Sequence, residues 1–151
     1  MNTPLPALAW PLGLAGLLPF LGGLAATWLW PSWGGHALAA YGAAILSFLG
    51  AVHWGLALAA PDVTPRARLI GGVIPSLVAW LALLLPLPVG LTILALGLLG
   101  LACVETLAAS RGLLPRSYMP LRWLLTGIAT VTLISSCLLY TSDAADEGLG
   151  V

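Results

Sequence analysis

From Leu8 onward, long apolar runs alternate with short breaks rich in Pro, Gly or Arg. The runs show neither the two-residue alternation of half-buried strands nor the polar face of a surface helix. A bilayer core is crossed by about 20 mainly apolar helical residues. Five runs meet that length, at about 8–28, 37–60, 69–85, 89–110 and 118–136. Pro19 should bend the first span, while Thr64 and Pro65 open the third as N-cap and first helical residue. The PLP turn at 86–88 is short enough to force spans three and four into a tight antiparallel hairpin. Pro19 and Pro75 fall inside spans, where neighbouring helices or local water can satisfy the carbonyl that a proline frees. The predicted fold is all-α: one polytopic bundle of five transmembrane helices over residues 1–136.

Composition agrees with the pattern. With 60% apolar and 7% charged residues, and a strongly positive mean hydropathy, there is too little polar surface to coat a soluble globule. The opening MNTPLPALAWPLG has no basic stretch and no small-residue cleavage site, so the first run is expected to stay in the membrane as a span.

Charge adds orientation. Five spans put the N-terminus, the loop after span two and the loop after span four on one side. Arg66 and Arg68 fall in the first of those loops, and Arg111, Arg116 and Arg122 in or beside the second. Cytoplasmic loops carry the excess of Lys and Arg, so that side, with the N-terminus, is expected in the cytoplasm. The opposite loop, TWLWPSWGGH, is uncharged, and its Trp28, Trp30 and Trp33 suit the outer interfacial belt. Trp10 and Trp123 suit the inner one. The expected location is a bacterial inner membrane.

The C-terminus breaks the pattern. Cys137 to Glu147, CLLYTSDAADE, reads as the frame translation of a transposase-end sequencing adapter. The preceding adapter base fits the third position of the Ser136 codon, and the adapter resumes in frame at Gly150 and Val151. Residues 137–151 are therefore assigned as non-native. Without Asp143, Asp146 and Glu147, the five arginines face only Asp62 and Glu105, a net charge of +3 (five minus two). Cys103 is then a single mid-span thiol, which supports no disulfide framework.

Candidate chemistry is sparse. In YGAAILSFLGAVHWGLA of span two, the small residues Ala43, Ser47, Ala51 and Gly55 recur every fourth position as a helix-packing stripe. Tyr41, near the outer end, suits an interface anchor. His53 and Glu105 are ionisable groups inside spans, expensive unless paired or hydrated, and lie at matching depths of roughly 9–11 Å from the arginine side. As a pair they would raise the imidazole pKa and could relay a proton. The plainer assignment is preferred because both groups are close enough to one surface to be hydrated. In it Glu105 snorkels or pairs with Arg122, and His53 bonds a backbone carbonyl or a serine. No phosphate loop, HExxH, GxSxG or metal-spaced Cys/His set occurs, and no basic patch is large enough for nucleic acid. No catalytic, metal or cofactor residues are assigned, and an enzyme is not expected.

The second-span stretch just quoted, IPSLVAWLALLLP in span three and GLLPRSYMPLRWLLT at 112–126 together resemble the bacterial membrane proteins carrying domain of unknown function 3429, over roughly residues 8–135. That family also takes in a mitochondrial transmembrane protein of animals. The usual second-span glycine pair stands here as Gly50-Ala51. The resemblance implies a small multi-spanning inner-membrane protein without an established activity. Two functional classes follow. One is a packing or assembly component whose partners are the bilayer and either further copies or other membrane proteins. The other is a small proton-coupled transporter or permease built on His53 and Glu105. An odd number of spans cannot form two equal inverted repeats, which weighs against the second.

Overall fold

The computed structural model describes residues 5–59 and 65–149, with side chains from 5 to 142 apart from 60–65. Within them the helices are α1 (Ala9–Ala15), α2 (Leu18–Leu29), α3 (Gly34–Ala59), α4 (Pro65–Leu84), α5 (Leu87–Ser110) and α6 (Met119–Leu149), with a 3₁₀ turn at Arg116–Tyr118 before α6. α1 and α2 together make the first span, and α3 to α6 supply the other four, so five apolar segments are long enough to cross a membrane. Thr64 and Asp62 lie outside the described residues.

The first span breaks at Gly16 and Leu17, just before Pro19, whose missing N–H and ring disfavour a continuous helix through that turn. The carbonyl of Gly16 accepts a hydrogen bond from the Tyr41 hydroxyl at 2.9 Å. Tyr41 also packs edge-to-face on Phe20, ring centroids 5.0 Å apart. Tyr41 is thus a staple across the break rather than the interface anchor expected of it. It supplies the partner that a broken helix needs in hydrocarbon.

The predicted hairpin is present, with α4 ending at Leu84 and α5 starting at Leu87 behind Pro86. Pro75 sits inside α4 without interrupting it. At the far end of α5, Gly112 adopts φ +75°. The Gly112 N–H reaches the Ala109 carbonyl and the Leu113 N–H the Ala108 carbonyl. These two bonds form the Schellman termination, whose left-handed residue is best supplied by glycine. The turn sends the chain directly into α6.

α3 is the hub, touching α2, α4, α5 and α6. Its buried Leu38 and Leu46 meet Leu91, Leu94 and Leu98 of α5 and Leu133 of α6 in one core cluster. The outside is apolar as well: Leu12, Trp28, Phe48, Leu58, Ile70 and Trp80 are all exposed. Many core positions are Ala, as at Ala79, Ala82, Ala95 and Ala102. Small residues at helix contacts and large apolar ones on the outside are what is expected where lipid, not water, is the solvent.

The described helices place Arg68, Arg111 and Arg116 at one end of the bundle and Trp28, Trp30 and Trp33 at the other. Trp30 and Trp33 stack there at 5.9 Å. α6 runs on as helix to Leu149, through the stretch assigned to adapter. Ala, Leu, Asp and Glu all allow such continuation. Ser136, the last residue before it, is buried and shares a 3.2 Å hydrogen bond with Thr27 of α2.

Candidate functional site

The polar chemistry of the bundle concentrates in its arginine half. Glu105 lies five residues before the end of α5, about 8 Å along the axis. Its carboxylate accepts Nε of Arg122, and both side chains are buried, 4% and 3% exposed. Arg122 Nη1 donates to Thr126 Oγ1, one turn further along α6, at 2.6 Å. Its Nη2 is buried and has no hydrogen-bond partner among the described residues. The ion pair therefore clamps α5 to α6 within the apolar core. Arg122 does not act as the loop-flanking surface charge counted for topology. Three residues inside α6, it is neutralised by Glu105, which leaves Arg66, Arg68, Arg111 and Arg116 as the described charges at that end.

His53 goes elsewhere. Its Nδ1 lies 3.2 Å from the Leu49 carbonyl one turn back on α3. The ring lines a cavity of about 520 Å³ between α3, α4 and α5, shared with Arg68 and Arg111. Glu105 is not among the residues that line it. So the structure does not bring the two intramembrane ionisable residues together. A second cavity, about 350 Å³, lies on the other side of α3 and is bordered by Tyr118, Arg122 and Thr126 as well as by Leu17 and Phe20.

The other arginines serve helix ends. Arg68 donates from Nη1 to the Leu56 carbonyl at 3.1 Å and from Nη2 to the Leu113 carbonyl at 3.3 Å. It thereby ties the last turn of α3 to the loop beyond α5, where a cation also suits the negative end of the helix dipole. Arg116 reaches the Ser110 carbonyl at the end of α5 at 3.4 Å. Arg66 is exposed.

The predicted packing stripe divides. Ala43 is buried and Ser47 half-buried, but Ala51 and Gly55 are exposed, and a Cβ at Gly55 would meet nothing within 4 Å. The inward face runs instead through Ala39, Gly42, Ala43, Leu46, Leu49 and Gly50. The reason is helical geometry. Strict spacing of four advances about 40° per step on a helix of 3.6 residues per turn, so four such residues wind off one face. Alternating steps of three and four stay on it. A close contact with α4 is made at Gly50, where a Cβ would lie 2.5 Å from the Gly72 carbonyl oxygen, and one at Gly72 would lie 2.8 Å from the Gly50 oxygen. Here α3 and α4 meet backbone to backbone. Trp54, one turn on, donates its indole N–H to the Leu69 carbonyl at 2.9 Å across the same seam.

Sequence comparison adds the lineage. Residues 5–138 match the family described as "Protein of unknown function (DUF3429)". The chain belongs to this family. Among curated relatives it is similar to Transmembrane protein 69 of Xenopus tropicalis, 43% identical over 90 residues, which is 55% of this chain and 34% of that protein. The chain thus spans about a third of the length of the relative it matches. No solved structure matches it. Two of the features that hold these helices together were not predicted from the sequence. The Gly50–Gly72 contact was signalled only by two glycines on successive spans, and Thr126 by its position four residues after Arg122, where side chains on one helix meet.

Proposed function

We propose that the chain is a non-enzymatic assembly component of a bacterial inner membrane. In this reading it uses the outward face of α3 to hold a second copy or another membrane protein, with the arginine end in the cytoplasm. The observation that carries this reading is the exposure of Ala51 and Gly55 on a span that is otherwise the hub of the bundle. They sit between the exposed Phe48 and Leu58. A small-residue strip between large ones lets a partner backbone approach closely, and close packing is what drives helix association where lipid removes the hydrophobic incentive. The proton-coupled alternative requires a His53–Glu105 pair. Glu105 is engaged by Arg122 and His53 by its own helix, so no observation favours that alternative.

The test is a comparison of Gly55→Leu with wild type in mild detergent, by native mass spectrometry and size-exclusion chromatography. A wild-type species larger than one chain, lost in Gly55→Leu while the amount of folded protein is unchanged, is the expected result. A complex that survives the substitution, or a wild type that runs as a lone chain after cross-linking in membranes, would sink the reading. Orientation has its own check: a reporter fused after Arg116 should read as cytoplasmic and one at Gly34 as external, and the reverse would exclude the proposed topology.

A further inference from the structure

The cavity between α3, α4 and α5 has a shape and a gradient of polarity that the assembly reading leaves unused. Along α4 its lining extends from Ala67 to Val78, eleven residues or about 17 Å, and from Arg111, just past the end of α5, back to Gly97, fourteen residues or about 21 Å. Because α4 and α5 run antiparallel, Arg68 and Arg111 mark the same end, and Val78 and Gly97 the other. The slot therefore lies along the membrane normal, as a lipid chain does. Its volume of about 520 Å³ lies within the roughly 300–1,000 Å³ typical of small-molecule sites. Ile74, Val78, Leu101 and Val104 make its walls apolar, whereas the cations stand at the mouth.

The space results from missing side chains. Gly71 and Gly100 both line the slot, and a Cβ on either would meet nothing within 4 Å. At the mouth, Arg68 is held in place by the Leu56 and Leu113 carbonyls, yet these use only two of the five donors of a guanidinium. Arg111 is exposed, and no hydrogen bond or ion pair engages its side chain among the described residues. Two guanidinium groups at an interfacial depth suit a phosphate, for which their planar fork is well matched. Basic pockets between transmembrane helices on that side of a membrane bind anionic headgroups.

We infer that this slot is a binding site for an anionic phospholipid, one acyl chain lying between α4 and α5 and the phosphate meeting Arg68 and Arg111. A soluble phosphate would match the mouth but would leave the apolar length of the slot unused. The lipid matches both. This inference does not rest on the assembly reading, since the exposed strip of α3 at Ala51 and Gly55 is not part of the slot's lining.

The test is native mass spectrometry of the delipidated protein titrated with phosphatidylglycerol or with phosphatidylcholine. The expected result is one saturable phosphatidylglycerol per chain, bound more tightly than phosphatidylcholine. Arg111→Gln should weaken it about fivefold, the worth of roughly 1 kcal/mol per arginine near an anionic surface. Gly100→Leu and Gly71→Leu, which fill the slot without meeting another atom at Cβ, should abolish the saturable site while leaving the melting temperature of the protein close to wild type. If one of the two fails to fold, the other carries the test. Equal affinity for the two lipids, or saturable binding that persists in the folded glycine variants, would overturn the inference, the latter because it would mark general surface attraction. Displacement of phosphatidylglycerol by inorganic phosphate would overturn it in favour of a soluble anion.

Discussion

Where α3 meets α4, the helices approach through missing side chains; where α5 meets α6 at the arginine end, they meet through a carboxylate and a guanidinium. At the first seam Gly50 and Gly72 bring carbonyl oxygen and α-carbon so close that no Cβ fits. At the second, Glu105 and Arg122 are both almost wholly buried and bonded to each other. In water both seams could lean on the hydrophobic effect. In lipid neither can, so contact must come from dispersion at close range or from polar groups that have nowhere else to go. The two solutions fail differently. A glycine seam is intolerant of any added volume, whereas an ion pair is intolerant of losing one member.

The sharpest break in the comparison is Glu105→Ala. It leaves the Arg122 guanidinium buried against Thr126 with no counter-charge. Removing one partner of a buried pair costs about 3–5 kcal/mol, mostly the penalty of the orphaned charge. Unfolding by SDS in mixed micelles should therefore shift strongly towards lower SDS, with reduced accumulation in membranes. An unchanged transition would mean that Arg122 can snorkel to the interface on its own and that the pair is incidental.

Next in size is the glycine seam. Gly50→Leu should lower stability by about 1–3 kcal/mol, because the added side chain must push α4 away from α3. Ala51→Leu, one residue on and outward-facing, should stay within about 0.5 kcal/mol in the same assay. The adjacent pair makes a controlled test of which face of α3 packs inward. If Ala51→Leu proves as harmful as Gly50→Leu, the stripe of four-residue spacing is the true packing face after all.

The two seams were not equally legible in the sequence. The five spans follow from run length, and the breaks from Pro19 and the PLP turn at 86–88, because each of these acts locally on the backbone. Which face of α3 turns inward is not local. Ala43, Ser47, Ala51 and Gly55 look like a stripe by count, but the face is chosen by where α4 and α5 lie, and Gly50 shows its role only beside Gly72. Glu105 was conspicuous as a carboxylate in an apolar run, and Arg122 could be named as a partner because the loop between α5 and α6 is short. What periodicity could not supply was the depth of Arg122, which three residues of helix and a tight turn carry from the interface into the core. His53 and Glu105 share a depth, but depth does not fix azimuth, and their side chains take different neighbours.

A small expected effect is also the most informative about the charged seam. Replacing both members together, Glu105→Met with Arg122→Leu, removes the desolvation penalty along with the attraction, and buried ion pairs exchanged for apolar residues of similar volume are often neutral or stabilising. Thr126 would lose the Arg122 donor, but a helical threonine can turn its hydroxyl to the carbonyl one turn back, so that loss is compensated locally. The double variant should accordingly unfold within about 1 kcal/mol of wild type, although each single substitution is far worse, and the resulting cycle gives the coupling between the two groups directly. Such recovery would make the pair a means of registering α5 against α6, replaceable by packing. A double variant as unstable as Glu105→Ala would instead show that shape at this point matters more than charge. The contrast with the glycine seam would then vanish, because both seams would hold by steric fit.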